Sequence, residues 1–201
     1  MYYGQFQTDK FIDEYFDPNH VGVCFEIGAC DGFIGTNTYY FEQKGWECIC
    51  VEPNPHYFEN LKINRKISLN YACGSENIDD QEFTIFDLGN NQSAISSLSV
   101  DQRLVDSHTH LIKNNFTTKV NVRTLDFILD ELKFDKKIDF LSIDTEGTEI
   151  EVLKGFDIKK WKPKLLVIEN NFNDPEIEKY LSTFGYIKNK RIEVNDFYIL
   201  N

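Results

Sequence analysis

The sequence has little positive charge for its length. Its 201 residues include 21 Lys and Arg against 33 Asp and Glu, so the formal net charge is −12 and the pI is about 4.8. Sequence-independent binding of a phosphate backbone needs clustered Lys and Arg side chains. The composition therefore counts against a general nucleic-acid binder, although it leaves room for a local basic groove.

Long apolar runs are also missing. No stretch approaches the roughly 18 apolar residues of a membrane-spanning helix. Residues 1–5 lack the basic-then-apolar layout of a secretory signal. We therefore expect a cytoplasmic protein with no membrane association. A chain of this length can bury one full hydrophobic core, so we predict a single domain over residues 1–201.

Cysteines at zinc-site spacing are absent. Cys48 and Cys50 form the closest pair, but in a strand both side chains would point to one face, and no second pair lies at a matching spacing. The five cysteines are Cys24, Cys30, Cys48, Cys50 and Cys73. We interpret them as small core residues in a reducing compartment.

What the sequence does contain is an alternation of short apolar runs with amphipathic stretches, which is typical of a parallel sheet covered by helices. The predicted strands are 21–27, 46–51, 67–73, 138–143 and 165–168, with more peripheral strands at 82–88, 117–122, 186–192 and 196–200. Helices are predicted at 9–16, 36–44, 124–132, 149–153 and 175–184, and one more begins at Asn54-Pro55. We predict that the polar stretch 89–99 is a mobile loop over a site.

The strongest local signal is a turn directly after the first predicted strand, Glu26-Ile27-Gly28-Ala29-Cys30-Asp31-Gly32. In open α/β sheets, nucleotides bind in the crevice beyond the carboxyl ends of the strands. An NAD site favours G-x-G-x-x-G, and Cys30 stands at the middle glycine position, which disfavours an NAD-dependent oxidoreductase. The acidic Glu26 is better suited to a ligand with a cationic amino-acid end.

Two further carboxylate signals follow strands. Glu52 comes directly after the second strand, where it could accept hydrogen bonds from the two hydroxyls of a ribose. Taken alone, Glu52 could equally be a solvent-exposed residue of a turn. Asp144 and Glu146 follow the strand 138–143 beside a glycine. Helix capping explains Thr148 and Glu149 in that segment, but it does not explain Asp144 at the strand tip.

Together these blocks resemble the FkbM-type S-adenosylmethionine-dependent methyltransferases. The matching segments are Glu26-x-Gly28-x-x-x-Gly32, Val51-Glu52-Pro53-Asn54-Pro55, Ala72-Cys73-Gly74, Arg123-Thr124-Leu125-Asp126 and Ile143-Asp144-x-Glu146-Gly147-x-Glu149-x-x-Val152-Leu153-x-Gly155. The opening Tyr3-x-Gln5-x-x-x-Asp9 is similar to the family's first motif, which usually has Gly-Gln where this chain has Gln7-Thr8.

The resemblance implies an α/β fold: a single Rossmann-like methyltransferase domain whose seven-stranded, mostly parallel sheet has its last strand antiparallel and helices on both faces. It implies S-adenosyl-L-methionine as cofactor, bound across the strand tips. The implied cofactor-binding residues are Glu26, Gly28, Ala29 and Asp31 near the methionine end, Glu52 at the ribose, Pro53, Asn54, Ala72 and Cys73 around the adenine, and Asp144 nearest the methyl group. Residues 1–20 are expected to form a lid over the site.

The expected reaction is in-line transfer of the methyl group to a hydroxyl of a sugar, glycan or other small molecule. Because a sulfonium is already a good leaving group, the protein mainly aligns the acceptor and removes its proton. Asp144 is the first candidate for this catalytic role and Glu146 the second. His108 and His110 could do the same work, but we interpret them as surface residues. The alternatives are an RNA methyltransferase, disfavoured by the net charge, and a non-catalytic nucleotide-binding module.

A metal site is a further hypothesis for the same strand ends. Asp144, Glu169 and Asn170 correspond to the acids and amide with which catechol O-methyltransferase-like enzymes bind Mg²⁺, and oxygen ligands suit such a hard cation. Those enzymes also have a lysine where this chain has Gly147. Bound Mg²⁺ is therefore not favoured.

Overall fold

A computed structural model describes residues 1–89 and 95–201 of the chain. Its strands are β1 (Val23–Ile27), β2 (Glu47–Val51), β3 (Ile67–Leu69), β4 (Ala72–Cys73), β5 (Ile78–Asp87), β6 (Asn114–Arg123), β7 (Phe140–Ile143), β8 (Leu165–Glu169), β9 (Tyr186–Ile192) and β10 (Asn195–Leu200). Its helices are a short 3₁₀ turn (Gln5–Gln7), α1 (Thr8–Asp13), α2 (Tyr39–Gln43), α3 (Pro55–Asn64), α4 (Gln102–His108), α5 (Leu125–Glu131), α6 (Glu149–Lys154), α7 (Ile158–Trp161) and α8 (Glu176–Ser182). Within this part of the chain, no helix has the length and hydropathy needed to cross a bilayer.

The main sheet has seven strands in the order β3-β2-β1-β7-β8-β10-β9. The pairs from β3 to β8 are parallel, whereas β10 runs antiparallel to both of its neighbours. The predicted sheet, with its antiparallel last strand, is therefore confirmed. The chain winds outward from β1 to β3 and then returns to β7 on the other side of β1. This reversal opens a crevice at the carboxyl ends of β1 and β7.

Every residue of β1, β7 and β8 is buried, so other parts of the chain cover both faces of this sheet. On one face, Leu125, Ile128 and Leu129 of α5, with Val152 and Leu153 of α6, pack onto the strands. On the other face, Ile12, Phe41 and Trp46 pack on Cys24 and Cys48. The predicted helical layers on both faces are therefore present. All five cysteines are free, and four of them are buried.

The predicted strand 67–73 is wrong as a single element. β3 belongs to the main sheet, but β4 pairs with Val122 and Arg123 in a second sheet of order β4-β6-β5. The chain changes sheet at Asn70, whose side-chain amide donates to the carbonyl oxygen of Glu52 at 2.8 Å. The strands predicted at 82–88 and 117–122 pair antiparallel in this second sheet.

One helical prediction also needs correction, and two helices were missed. α2 begins at Tyr39 rather than at residue 36, because the hydroxyls of Thr36 and Thr38 bond to Glu26 instead of starting a helical turn. α4 and α7 were not predicted. Part of the predicted mobile loop, residues 90–94, lies outside the described residues, and Ser97 pairs with Thr84 through two 3.0 Å backbone bonds.

Candidate functional site

A cavity of about 1070 Å³ lies at the carboxyl ends of β1, β2, β7 and β8, under the second sheet and α4. Its lining includes twelve of the sequence-predicted residues: Glu26, Gly28, Ala29, Asp31, Glu52, Pro53, Asn54, Ala72, Cys73, Asp144, Glu146 and Glu169. The fold thus gathers residues from positions 26 to 169 around one space. Their individual contacts with a ligand stay predictions.

The turn after β1 depends on glycine. Gly28 has φ +84°, and a Cβ atom at this position would lie 1.7 Å from the carbonyl oxygen of Asp144. The backbone N–H groups of Gly28 and Ala29 both donate to Val51, at 2.9 and 3.1 Å. A side chain at position 28 would therefore separate the tips of β1 and β7, and only glycine lets them approach this closely.

Glu52 stands at the tip of β2 with each carboxylate oxygen held by a backbone donor. Oε2 accepts from the N–H of Cys30 and Oε1 from the N–H of Asn54, both at 2.8 Å. The side chain is buried, and burial raises the pKa of Glu52 to about 8. The nearby Asp144 adds a smaller effect in the same direction. The two fixed oxygens retain lone pairs for further donors such as ribose hydroxyls.

Glu26 faces the cavity floor but has several partners within the protein. Its oxygens accept from the Thr36 hydroxyl at 2.6 Å, from the Asn37 N–H at 2.5 Å and from the Thr38 hydroxyl. Arg65, also buried, approaches it at 3.4 Å and pairs with Glu42 at 2.9 Å. Glu26 therefore holds residues 36–38 and Arg65 together beneath the cavity. Its contact with a ligand ammonium stays a prediction. Sequence reasoning missed Arg65, because nothing in its local pattern connects it to a residue 39 positions earlier.

Three carboxylates meet at the inner end of the cavity. Oxygen atoms of Asp144, Glu146 and Glu169 lie within 4.8 Å of one another. Burial is the main cause that raises the pKa of Asp144 to about 7, and it also raises the pKa of Glu146 and of Glu169, with mutual repulsion adding to both. None of the three forms an ion pair with a basic side chain of the described residues. This end of the cavity therefore attracts cations and hydrogen-bond donors.

The loop that carries Asp144 and Glu146 is held by Glu149. Its Oε1 accepts from the N–H and hydroxyl of Thr145 and from the N–H of Gly147, at 3.0 to 3.1 Å. Thr148 occupies the N-cap position of α6 but makes no side-chain capping bond. The predicted capping by Thr148 is therefore wrong. Glu149 fixes the loop instead, with Glu146 in a left-handed conformation at φ 58°.

The Asn170 amide is occupied by hydrogen bonds in the turn after β8. Its side-chain amide donates to the Asp174 carbonyl and to Asp196, both at 3.0 Å, while its oxygen accepts from the Asp174 N–H at 2.8 Å. Because these bonds hold the amide in the turn after β8, Asn170 does not join the other two predicted metal ligands. Glu146 stands beside them instead, and three carboxylate oxygens are still of the type that suits Mg²⁺.

The N-terminal segment forms part of the cavity wall. Gln5 and Phe6 line the cavity, and Gly4 forms a parallel bridge with Gly35. Thr8 anchors the segment, donating to the Gln5 carbonyl at 2.7 Å and accepting from the buried Asn195 at 3.2 Å. A lid function for residues 1–20 stays a prediction.

His108, the last residue of α4, and His110, which follows the helix, differ in position. His108 is half-buried and lines the cavity, whereas His110 is exposed and lies outside its lining. The interpretation of His108 as a surface residue is therefore wrong. Its helix was not predicted from the polar segment.

The chain is similar to a curated methyltransferase. A curated relative from Beauveria bassiana (strain ARSEF 2860), named Methyltransferase 1, is 24% identical over 164 residues, which is 75% of this chain and 66% of that protein. This chain thus spans slightly less than two thirds of that relative.

Among solved structures, a Klebsiella pneumoniae protein assigned as an O-methyltransferase has a TM-score of 0.47 and 10% identity, over 97% of this chain and 80% of its own. An O-methyltransferase from Bacillus cereus, solved with SAH, has a TM-score of 0.39 and 13% identity, over 95% of this chain and 78% of its own.

The family model for the methyltransferase FkbM domain matches residues 26–188. That match confirms the predicted resemblance to the FkbM methyltransferases. The chain belongs to the FkbM methyltransferase domain family.

Proposed function

We propose that this protein transfers the methyl group of S-adenosylmethionine to a hydroxyl of a small-molecule or glycan acceptor. The observation that carries the proposal is the group formed by Asp144, Glu146 and Glu169 at the inner end of the cavity, with no basic partner among the described residues. Carboxylates in this setting accept hydrogen bonds from hydroxyl donors and disfavour anionic acceptors.

The donor would lie across the strand tips. Glu52 would hold the ribose, and the methionine end would reach the turn at Gly28, where the Asp144 carbonyl makes its closest approach. Asp144 would then be next to the methyl group. This arrangement supports Asp144 as the carboxylate that orients the acceptor hydroxyl, with Glu146 as the second candidate. Alignment of the reacting atoms supplies most of the remaining rate, because the sulfonium needs no activation.

An acceptor of modest size suits the space available. The cavity is near the upper end of the volumes typical of small-molecule sites, about 300–1,000 Å³, and it must hold donor and acceptor together. RNA is the second candidate acceptor. The net charge of −12 counts against it, because RNA backbone binding requires basic surface.

Calorimetry with S-adenosylmethionine, SAH and NAD tests the cofactor. Binding of NAD without the other two would contradict the proposal. A methyl-release screen against sugars, nucleotide sugars, phenols and RNA then tests the acceptor. Methyl transfer to RNA with none to the small hydroxyl compounds would favour the second candidate.

Two variants test the division of roles. Asp144→Ala should keep SAH affinity within about tenfold and abolish turnover, because the side chain acts on the acceptor. Glu52→Ala should instead weaken SAH binding by about 1.5–3 kcal/mol, the value of a charged hydrogen bond. If both variants lose binding and turnover to the same degree, the assigned roles are wrong.

A further inference from the structure

His108 lines the cavity from α4. It is on the cavity-facing side of α4, in the same lining as Asp144, Glu146 and Glu169. His110, two residues later, is exposed and outside the lining. The pair therefore offers a candidate site residue and a natural control within one short segment.

The hydrogen-bond geometry of His108 favours one tautomer. Its Nδ1 lies 3.0 Å from the carbonyl oxygen of Leu104 and 2.9 Å from the hydroxyl of Ser107, which itself donates to the Leu104 carbonyl at 2.8 Å. A carbonyl oxygen only accepts, so the contact at Nδ1 requires the proton on that nitrogen. In the neutral ring Nε2 then carries a free lone pair. Within residues 1–89 and 95–201, no group hydrogen-bonds to Nε2.

The ring orientation follows from the same bonds. Nδ1 faces the helix's own backbone, so the opposite edge of the ring, with Nε2, is directed away from the helix. Because the side chain lines the cavity, the edge that carries Nε2 is the one available to a ligand there. Fixing one nitrogen of an imidazole with a backbone carbonyl is a general way to orient the other for proton transfer.

The helix that carries His108 is fastened over the acidic group. Arg103 bonds to Asp174 after β8 through both terminal nitrogens, at 2.7 and 3.1 Å, and lies 4.2 Å from the ring centre of Phe172. Leu104, one turn before His108, lines a small adjoining pocket together with Gly147 and Glu149. These contacts place α4 opposite the loop of Asp144 and Glu146.

We infer that His108 is a catalytic residue of the proposed methyl transfer and that its Nε2 takes the proton of the acceptor hydroxyl. The inference rests on the proposed function. As the acceptor oxygen bonds to the methyl carbon, the carbon–sulfur bond breaks and its electron pair stays on sulfur, giving SAH. The hydroxyl proton passes to Nε2, and the resulting imidazolium later releases it to water. The carboxylates across the cavity would stabilise that positive charge, and Asp144 would orient the hydroxyl.

A spectroscopic test needs no acceptor. Long-range ¹H–¹⁵N spectra of the imidazole rings, assigned with H108N and H110N, report which nitrogen carries the proton. We expect the Nδ1–H tautomer for neutral His108 with SAH bound, and the ordinary predominance of Nε2–H for His110. An Nε2–H tautomer at His108 would overturn the inference, whatever the acceptor is.

Turnover of the hydroxyl compound found in the methyl-release screen gives the second test. H108A should lower kcat by about 10²–10⁴-fold, the range for loss of a general base, with SAH affinity unchanged, and added imidazole should restore part of the activity. H108N, whose amide can still donate to the Leu104 carbonyl, should lose turnover as well. H110A should behave as wild type.

The outcomes separate the two proposals. H108A and H108N with kcat within threefold of wild type would refute the role of His108 and leave the methyl transfer intact. Lost SAH binding in H108N, without rescue by imidazole, would also refute it, since the ring would then be structural. Absence of methyl release to any hydroxyl compound by the wild type would instead contradict the proposed function, and the tautomer measurement would still decide the state of His108.

Discussion

Donor affinity should depend on pH through Glu52. Its carboxyl group is buried and has a pKa of about 8, so near neutral pH most of it is protonated in the absence of ligand. Ribose hydroxyls donate hydrogen bonds, and an ionised carboxylate that already receives the Cys30 and Asn54 N–H groups is the better acceptor. Donor binding should therefore favour the ionised form and lower the pKa of Glu52.

The direction and size of the pH effect on SAH affinity follow from this coupling. Below about pH 8 the binding-competent form is the minor one, so affinity should rise as pH increases and level off above that value. If only the ionised form binds, the affinity for SAH should increase about 25-fold between about pH 6.5 and about pH 8.5, in proportion to the ionised fraction. At the upper pH, Glu52→Gln should weaken binding by about 1.5–3 kcal/mol, or about 10- to 150-fold.

Titration calorimetry with SAH at several pH values measures this effect. The amino group of SAH also titrates, so the informative quantity is the difference in pH dependence between wild type and E52Q. Glu59→Gln is the matched control, because Glu59 is exposed on α3 and pairs only with Lys62 among the described residues. Identical pH dependence in wild type and E52Q would refute the reasoning.

Three other predictions follow from the site. Arg65→Met should lower the free energy of unfolding by about 3–5 kcal/mol, because it leaves the buried Glu26 and Glu42 without their cation. In the same urea titrations, Arg103→Met should lower the free energy of unfolding far less, since the Arg103 side chain is half-exposed and water screens its ion pairs; equal losses would contradict this. Gly28→Ala should destabilise by about 1–3 kcal/mol more than Gly45→Ala, because both glycines have positive φ but no atom lies within 4 Å of a Cβ at Gly45. Methyl transfer should survive thorough chelation with no gain from added Mg²⁺, and a strict Mg²⁺ requirement would contradict this prediction.

Much of the fold is readable from the sequence because buried parallel strands are nearly continuous apolar runs. The runs that became β1, β2, β7 and β8 are of this kind. The residues that follow them are polar, and parallel strands bring their carboxyl ends to one edge of the sheet. That rule alone was enough to place Glu52, Asp144 and Glu169 around one cavity.

The predictions that failed depended on long-range pairing. The division of residues 67–73 into β3 and β4 depends on β6, some 50 residues later, whose pairing draws Ala72 and Cys73 out of the main sheet. The late start of α2 depends on Glu26, which competes for the hydroxyls of Thr36 and Thr38. Neither partner is visible in a local window of sequence.

The sequence by itself determined the central strands β1, β2, β7 and β8, the glycine turn at Gly28 and the acidic residues at the strand tips, because local periodicity and the rules of parallel sheets specify them. Only the tertiary structure decided which polar groups meet. In the fold, Asn170 bonds to Asp174 and Asp196, and Glu146 lies beside Asp144. His108 lines the cavity, whereas His110 is exposed. Side-chain hydrogen bonds and burial in three dimensions select these partners, and no spacing along the chain specifies them.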